Sequence, residues 1–411
     1  MERYEVLVPS FASRFACKGP SCAFDCCKGW DVTLSREEYR KYRKNGIWDK
    51  CGEGAAFQMI PKDKVGGNHY VKIKMDAEKK CPFQQESGLC DIQCKYGEKM
   101  LSYTCRVFPR FYRLYEGMVE QGMSLGCEGV LELLWEEEKI TLEKRVADFA
   151  EDEMYVQRWT QNTRRKHPIL WSYFDIQTLC LLLLQAEGDT LEHRMVLLGM
   201  ALHHINQLDE EGKEKEIPAY IENFLQTAPD ISVGEILSDL GENPMAVLYS
   251  AQVMFTHDTE EKSKEYHDAM NRVVSRLKWS YTRTDEEHFT FEFNHDCYLE
   301  CRKNFGKWIE GKEYFLENVM VAFLFSQNIP FFDLKYSLWD NYIYFVWAYS
   351  VAKMLLSVCL EPNSTQAEAN HYLSVFFRTL GHSPTLFAQV VADFKKNGDS
   401  LGHLCVLLKS C

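Results

Sequence analysis

The sequence predicts an α+β protein: a small cysteine-rich metal-binding module with short strands and a hairpin, followed by a large, mostly α-helical domain. Three observations predict it. Ten of the sixteen cysteines fall between Cys17 and Cys127. Within that stretch, apolar residues alternate with charged ones, the period of a strand. From about Glu128 onward, apolar residues recur at helical spacing. The boundary is therefore drawn at residue 130, with a metal or iron–sulfur module over 1–130 and a helical domain over 131–411.

Each element has a local reason. Residues 1–16 have mixed extended character. Ser35, with Glu38 three residues on, forms a capping box and starts a helix that Gly46 stops. Tyr70–Met75 alternates apolar and charged, which reads as a strand with one wet face. Phe111 to Leu125 reads as a hairpin turning at Glu116-Gly117, which delivers Cys127 back towards the other thiols. Helices are predicted over Val130–Glu138, Phe174–Gln185, Thr190–Gln207, Ala219–Gln226 and Glu260–Lys278. Five more are predicted over Asp296–Ile309, Glu313–Gln327, Leu338–Leu360, Gln366–Leu380 and Thr385–Lys395. Phe289–Phe293 alternates and reads as a strand, and the charged stretch Asp209–Glu216 reads as a linker. Tyr342–Leu360 imitates a membrane span, but Lys353 within it would cost about 3 kcal/mol on insertion scales. A buried core helix is expected there, and no membrane insertion.

Net charge is −13, unevenly spread. Residues 1–130 carry 21 Lys+Arg against 17 Asp+Glu, and the remainder 26 against 43. A long acidic segment argues against nucleic-acid binding, which needs basic surface to meet phosphates. Met1–Ser10 lacks the pattern of a secretory signal, so a cytoplasmic, reducing location is expected. Disulfides rarely persist there, and clustered thiols bind metal.

The spacing is Cys17-x4-Cys22-x3-Cys26-Cys27, then Cys81-x8-Cys90-x3-Cys94-x10-Cys105-x21-Cys127. Thiolates are soft ligands that suit zinc or iron–sulfur clusters. No Cys-x2-Cys pair occurs, which weighs against an ordinary zinc ribbon. A single 4Fe-4S cluster is expected, with zinc as the alternative. Its ligands come from the pool Cys17, Cys22, Cys26, Cys27, Cys81, Cys90, Cys105 and Cys127, the unused thiols lying buried beside it or serving a smaller second site. Adjacent Cys26 and Cys27 cannot easily both face one metal from extended backbone. Cys94, one helical turn from Cys90, reads as spare, and Cys51 as free. The loops hold little apolar surface, so ligand bonds would supply their ordering energy. Cys297 and Cys301 share a helix face near His295 and read as buried thiols. Cys180, Cys359, Cys405 and Cys411 have no partners in spacing.

Several motifs are absent. Neither Cys22-x3-Cys26 nor Cys90-x3-Cys94 continues to the Cys-x3-Cys-x2-Cys of radical S-adenosylmethionine enzymes. No dinucleotide fingerprint, P-loop, nucleophile elbow or His-Glu-x-x-His is present. The pair His203-His204 reads as a core or solvated pair on a helix.

The cysteine segment nevertheless resembles the flagellin lysine-N-methylase family. The resemblance is carried by Cys22-x3-Cys26-Cys27-Lys28-Gly29-Trp30, Cys81-Pro82-Phe83 and Gly88-Leu89-Cys90-Asp91-Ile92. It continues through Gly97-Glu98, Leu101-Ser102, Thr104-Cys105, Pro109-Arg110, Ser124-Leu125 and Cys127-Glu128. The order and spacing fit over about residues 10 to 135, and Phe315-Leu316-Glu317-Asn318-Val319 resembles the family's C-terminal half. Two features depart from it: Cys94 stands where a non-cysteine is expected, and Leu125–Gly129 lacks a Ser-Cys-Pro-Glu. A wider group of small zinc- or iron–sulfur-binding proteins shares the cysteine part alone.

The resemblance implies a bacterial enzyme that transfers methyl groups from S-adenosylmethionine to lysine ε-amines of flagellin. In-line displacement needs a neutral amine, and a lysine near pKa 10.4 is mostly protonated at pH 7. Aromatic walls can hold an alkylammonium. Nineteen of the 55 aromatic residues lie between Phe289 and Tyr349, although core packing alone would account for them. Arg110, beside the presumed metal, is a candidate to hold a carboxylate, either the methyl donor's or a neighbouring Glu that fixes the hairpin. No base is named by the sequence. The competing reading is a non-catalytic or redox module, iron–sulfur or zinc, that serves as a binding surface.

Overall fold

The computed structural model describes residues 2–22, 26–28, 32–47, 56–61, 70–77, 80–149, 155–256, 263–283, 289–381, 383 and 385–411. Gly29, Trp30 and Cys51 lie outside the described residues. The chain divides into two compact units that are not sequential. The smaller is Phe15–Phe111 with Cys127–Gly129, and the larger is Met1–Arg14, Tyr112–Gly126 and Val130–Cys411. The N-terminal strand and most of the hairpin thus belong to the unit that holds the helices, and the chain crosses between units near residues 14, 111, 126 and 129.

Among the described residues, ten strands are β1 (Glu2–Pro9), β2 (Thr33–Leu34), β3 (Phe57–Met59), β4 (Val71–Ile73), β5 (Arg110–Tyr115), β6 (Met118–Met123), β7 (Leu142–Phe149), β8 (Tyr155–Trp159), β9 (Ser280–Arg283) and β10 (Phe289–Glu292). In the smaller unit, β2, β4 and β3 form an antiparallel sheet with β4 central. The alternation read over Tyr70–Met75 is β4, with Val71 and Ile73 buried and Lys72 half-exposed. The helix Arg36–Lys44 begins as predicted. Ser35 accepts from the Glu38 N–H, and the Glu38 carboxylate accepts from the Ser35 N–H. Glu38 also accepts from the Tyr103 N–H at 2.6 Å, and Gly46 stops the helix at φ +69. Eleven residues, Phe57, Phe83 and Tyr42 the largest among them, form a buried apolar core here. The expectation that these loops hold little apolar surface is thereby corrected.

In the larger unit, a five-stranded sheet runs β7-β1-β6-β5-β8. The hairpin turns where predicted, with Glu116 and Gly117 both at positive φ, the backbone of a two-residue turn matched to strand twist. β7 and β8 are a correction, because a helical period was expected from Glu128 onward. β7 pairs with β1 at eight successive positions, yet only Phe149 along it is buried. A strand that buries almost nothing leaves no alternation to read.

All ten predicted helices are present, with ends shifted by a few residues. Helices at Gln161–Lys166, Val233–Ser238, Pro244–Thr256 and Leu401–Ser410 were not anticipated. The Asp209–Glu216 stretch is a tight connection and not a linker: Glu210 ends one helix and Glu214–Glu216 forms a single turn into the next. The helix Leu338–Cys359 is long and apolar enough to cross a membrane, but 94% of its most apolar window is buried inside the protein. Its Lys353 reaches Glu192 of a neighbouring helix at 2.5 Å.

Candidate functional site

In the smaller unit, backbone pairing joins the two cysteine groups. The Cys81 N–H donates to the Cys27 carbonyl at 2.9 Å, and Lys28 bridges Lys80. Gln84 bridges Cys90, whose carbonyl accepts from the Cys94 N–H. Cys81 and Cys90 lie partly buried against the apolar core. Cys105, in the helix Tyr103–Val107 capped by Ser102, is near enough to Cys90 and Cys26 to feel their charge. Crowding by protein pushes its thiol up to about 11, the Ser102 hydroxyl opposes this, and Cys90 and Cys26 add to it. The residue as a whole keeps exposed surface. A metal bound there would expel that proton.

Cys127 sits in a second neighbourhood. A Cβ on Gly129 would lie 3.4 Å from the Phe15 ring and 3.8 Å from both the Cys127 Sγ and the Lys18 side chain. The Arg110 guanidinium lies 5.1 Å from the centre of the same Phe15 ring. Arg110 therefore rests on an aromatic face, and no carboxylate partner for it is found among the described residues. The Cys17 Sγ accepts from the Gly19 N–H at 3.4 Å.

The chemistry of this donor set fits a thiophilic metal. However, no group of three or more metal-binding side chains is assembled at ligand distance among the described residues. The exposure of the thiols is informative. Of the nine described cysteines from Cys17 to Cys127, none is buried, whereas Cys180, Cys301, Cys359, Cys405 and Cys411 are. The expectation of a buried Cys301 holds. Cys297 is half-buried.

The larger unit holds a buried polar network that the sequence reading missed. Arg113 on β5 donates from Nε and Nη2 to Glu120 on β6, at 3.2 and 2.9 Å. Its Nη1 and Nη2 also donate to the Ser326 and Phe325 carbonyls respectively, each at 2.7 Å. Glu120 also accepts from Tyr173 and Gln177. Tyr173 meets Asn328, which donates to Gln157. Every charge here is met, so the network pins the sheet to the helix Tyr314–Gln327 and offers a ligand nothing.

A cleft of about 390 Å³ opens elsewhere in this unit, walled by Thr190, Glu192, His193, Arg302, Lys353 and Lys409 among others. That volume is in the range of small-molecule sites. Glu192, in the first turn of the helix Leu191–Glu210, is about one-fifth exposed. Burial acts against its charge, yet the Lys353 ammonium and the Tyr349 hydroxyl hold its pKa down to about 2. Lys409 is spent on the Leu237, Ser238 and Leu240 carbonyls. Among the described residues, Arg302 has one polar contact, Nη1 to Glu242 at 3.3 Å.

The model of the FliB lysine N-methylase C-terminal domain matches residues 177–407, more than half of the chain. The chain belongs to the FliB lysine N-methylase family. This is a family of protein-lysine N-methyltransferases. A flagellar biosynthetic protein FliU of Salmonella muenchen is 33% identical over 136 residues, 32% of this chain and 76% of that protein. Lysine-N-methylases of Salmonella typhimurium strain LT2 and Salmonella choleraesuis strain SC-B67 are each 34% identical over 136 residues, 32% of this chain and 32% of each relative. The matched segment thus spans about a third of those two enzymes. No solved structure matches. Within the FliB C-terminal match lie Glu192, Arg302 and Lys353, whereas the cysteine pool Cys17–Cys127 lies outside it.

Proposed function

We propose that the chain methylates lysine ε-amines of flagellin with S-adenosylmethionine as donor, in the bacterial cytoplasm, and that the N-terminal thiols hold an iron–sulfur cluster. The observation that carries the transferase reading is the FliB lysine N-methylase match over residues 177–407. The name of the FliU relative supports a flagellar substrate. That none of the nine described N-terminal cysteines is fully buried supports the cluster, since cysteines that serve as small hydrophobes are buried. A bound cluster would supply soft, thiolate-held iron and added order to the loops that carry Cys17 to Cys127. Zinc on the same thiols is the competing metal.

Transfer requires that the substrate amine lose its proton before it attacks the methyl group. Two kinds of surface would suit the two reactants, an aromatic wall for the alkylammonium and a polar cleft for the methyl donor. Apart from the exposed Tyr314, the aromatic residues of the helices Tyr314–Gln327 and Leu338–Cys359 are buried. They therefore form core and not an open wall for the alkylammonium. The charged cleft beside Glu192 is open, and a polar small molecule is what it fits.

The test is direct. Protein purified without oxygen, incubated with flagellin and S-adenosylmethionine, should add methyl increments to flagellin lysines, read by intact mass and peptide mapping. Iron and inorganic sulfide should accompany the protein, with the visible absorbance of thiolate-ligated iron. Absence of methylation by metal-replete protein would overturn the enzyme reading in favour of a binding module. Stoichiometric zinc with no iron would replace the cluster by a zinc site.

A further inference from the structure

The cleft beside Glu192 carries more than a volume. Three cations line it, of which Lys409 is held by carbonyls. Lys353 donates to Glu192, lies over the Tyr349 ring and faces Cys411, another residue of the wall, and its ammonium carries three hydrogens. Arg302 offers five donors, and Nη1–Glu242 is its one contact among the described residues. Glu192 is the carboxylate of the wall.

We propose that this cleft seats the α-amino carboxylate end of the methyl donor. The carboxylate bridges Arg302 and Lys353, and the α-ammonium meets Glu192. An amino-acid end can use both signs of charge in the wall, whereas a simple anion uses the cations alone. Glu192 stays ionised for this role because Lys353 and Tyr349 hold it so. The mouth of the cleft leaves the remainder of the donor to extend along Thr190, His193 and Ser238. The inference rests on the reading that S-adenosylmethionine is the donor, and it assigns the site to residues that the sequence did not single out.

The experiment is calorimetric titration of the full chain with two probes. S-adenosylhomocysteine carries the amino-acid end, and methylthioadenosine lacks it. Arg302→Gln should bind S-adenosylhomocysteine about ten- to hundredfold more weakly, the size of one lost charge-assisted contact. Its affinity for methylthioadenosine should be unchanged, and Arg302→Lys should recover part of the loss. Glu242→Gln removes the same rim ion pair but no ligand donor, so it should bind like the parent and guards against a folding artefact. Unchanged S-adenosylhomocysteine affinity in Arg302→Gln would overturn the site while leaving the donor reading intact. Failure of the parent protein to bind either probe would instead overturn the donor reading and the site with it.

Discussion

Arg113 and Glu120 form an ion pair with 1% and 0% of their side chains exposed. Removing one partner of such a pair leaves a charge buried and unpaired, which costs about 3–5 kcal/mol. Glu120→Leu should therefore lower the urea stability of the larger unit by that order. The double variant Arg113→Met, Glu120→Leu should recover much of the loss, because no orphan charge remains. Nothing in the sequence announced this pair. The two residues lie seven apart across a turn, and their other partners stand at Tyr173, Phe325, Ser326 and Asn328. Contacts at such separations leave no local spacing to read. Glu192 was hidden for the same reason, 161 residues from Lys353. Lys353 itself was legible as an anomaly within an apolar run, but its partner was not. Glu192 has its pKa lowered from 4.5 to about 2 on folding. Its contribution is thus fully present above pH 4.5 and is lost as pH falls from there towards 2. The size is about 3 kcal/mol, from 1.36 kcal/mol per unit. Glu192→Gln should flatten the fall in stability between pH 5 and pH 2, measured by thermal unfolding across that range. An unchanged slope would show that the carboxylate is not held down in the folded protein.

At the scale of elements, legibility followed locality. The Ser35 capping box needs three residues of sequence and appeared as read. Ser35→Ala should cost about 1 kcal/mol and speed amide exchange over Arg36–Lys44, with no effect on exchange in Leu338–Cys359. The turn at Glu116-Gly117 is equally local. Long helices were found because burial imposes a period on them, and the 22 residues of Leu338–Cys359 carry almost nothing but core. β7 escaped because its order comes from β1 and not from its own side chains. Glu143, Lys144, Arg145 and Asp148 are charged along one exposed strand. Pairing at eight positions with a strand 140 residues earlier defines it as a strand, and no window of sequence contains both.

At the scale of the whole molecule, the cysteines divide by environment as they divide by position. The expectation of a metal drew on thiol clustering and on loops unable to order themselves. The second support is weaker, because the smaller unit has its own eleven-residue core. Metal loss should then loosen the cysteine loops without melting this core. Thiol alkylation read by peptide mass tests this at every cysteine in one experiment. In metal-free, reduced protein without denaturant, exposed Cys17, Cys26 and Cys94 should react first, and Cys105, whose thiol is crowded and raised to about 11, more slowly. Cys180, Cys359 and Cys405 should react only on unfolding, since they are buried and burial pushes each thiol above its usual pKa. After anaerobic reconstitution with iron and sulfide, the ligand thiols should become protected, and the rest of the pool should stay reactive. Exchange over Arg36–Lys44 should be nearly the same in both states, because Ser35, Glu38 and Tyr42 hold that helix to its own core. If reconstitution protected no thiol between Cys17 and Cys127, the cluster would be lost as an explanation for their exposure. If instead the helix unfolded with the metal, the apolar core would be too weak to stand alone, and ligand bonds would be what orders the unit.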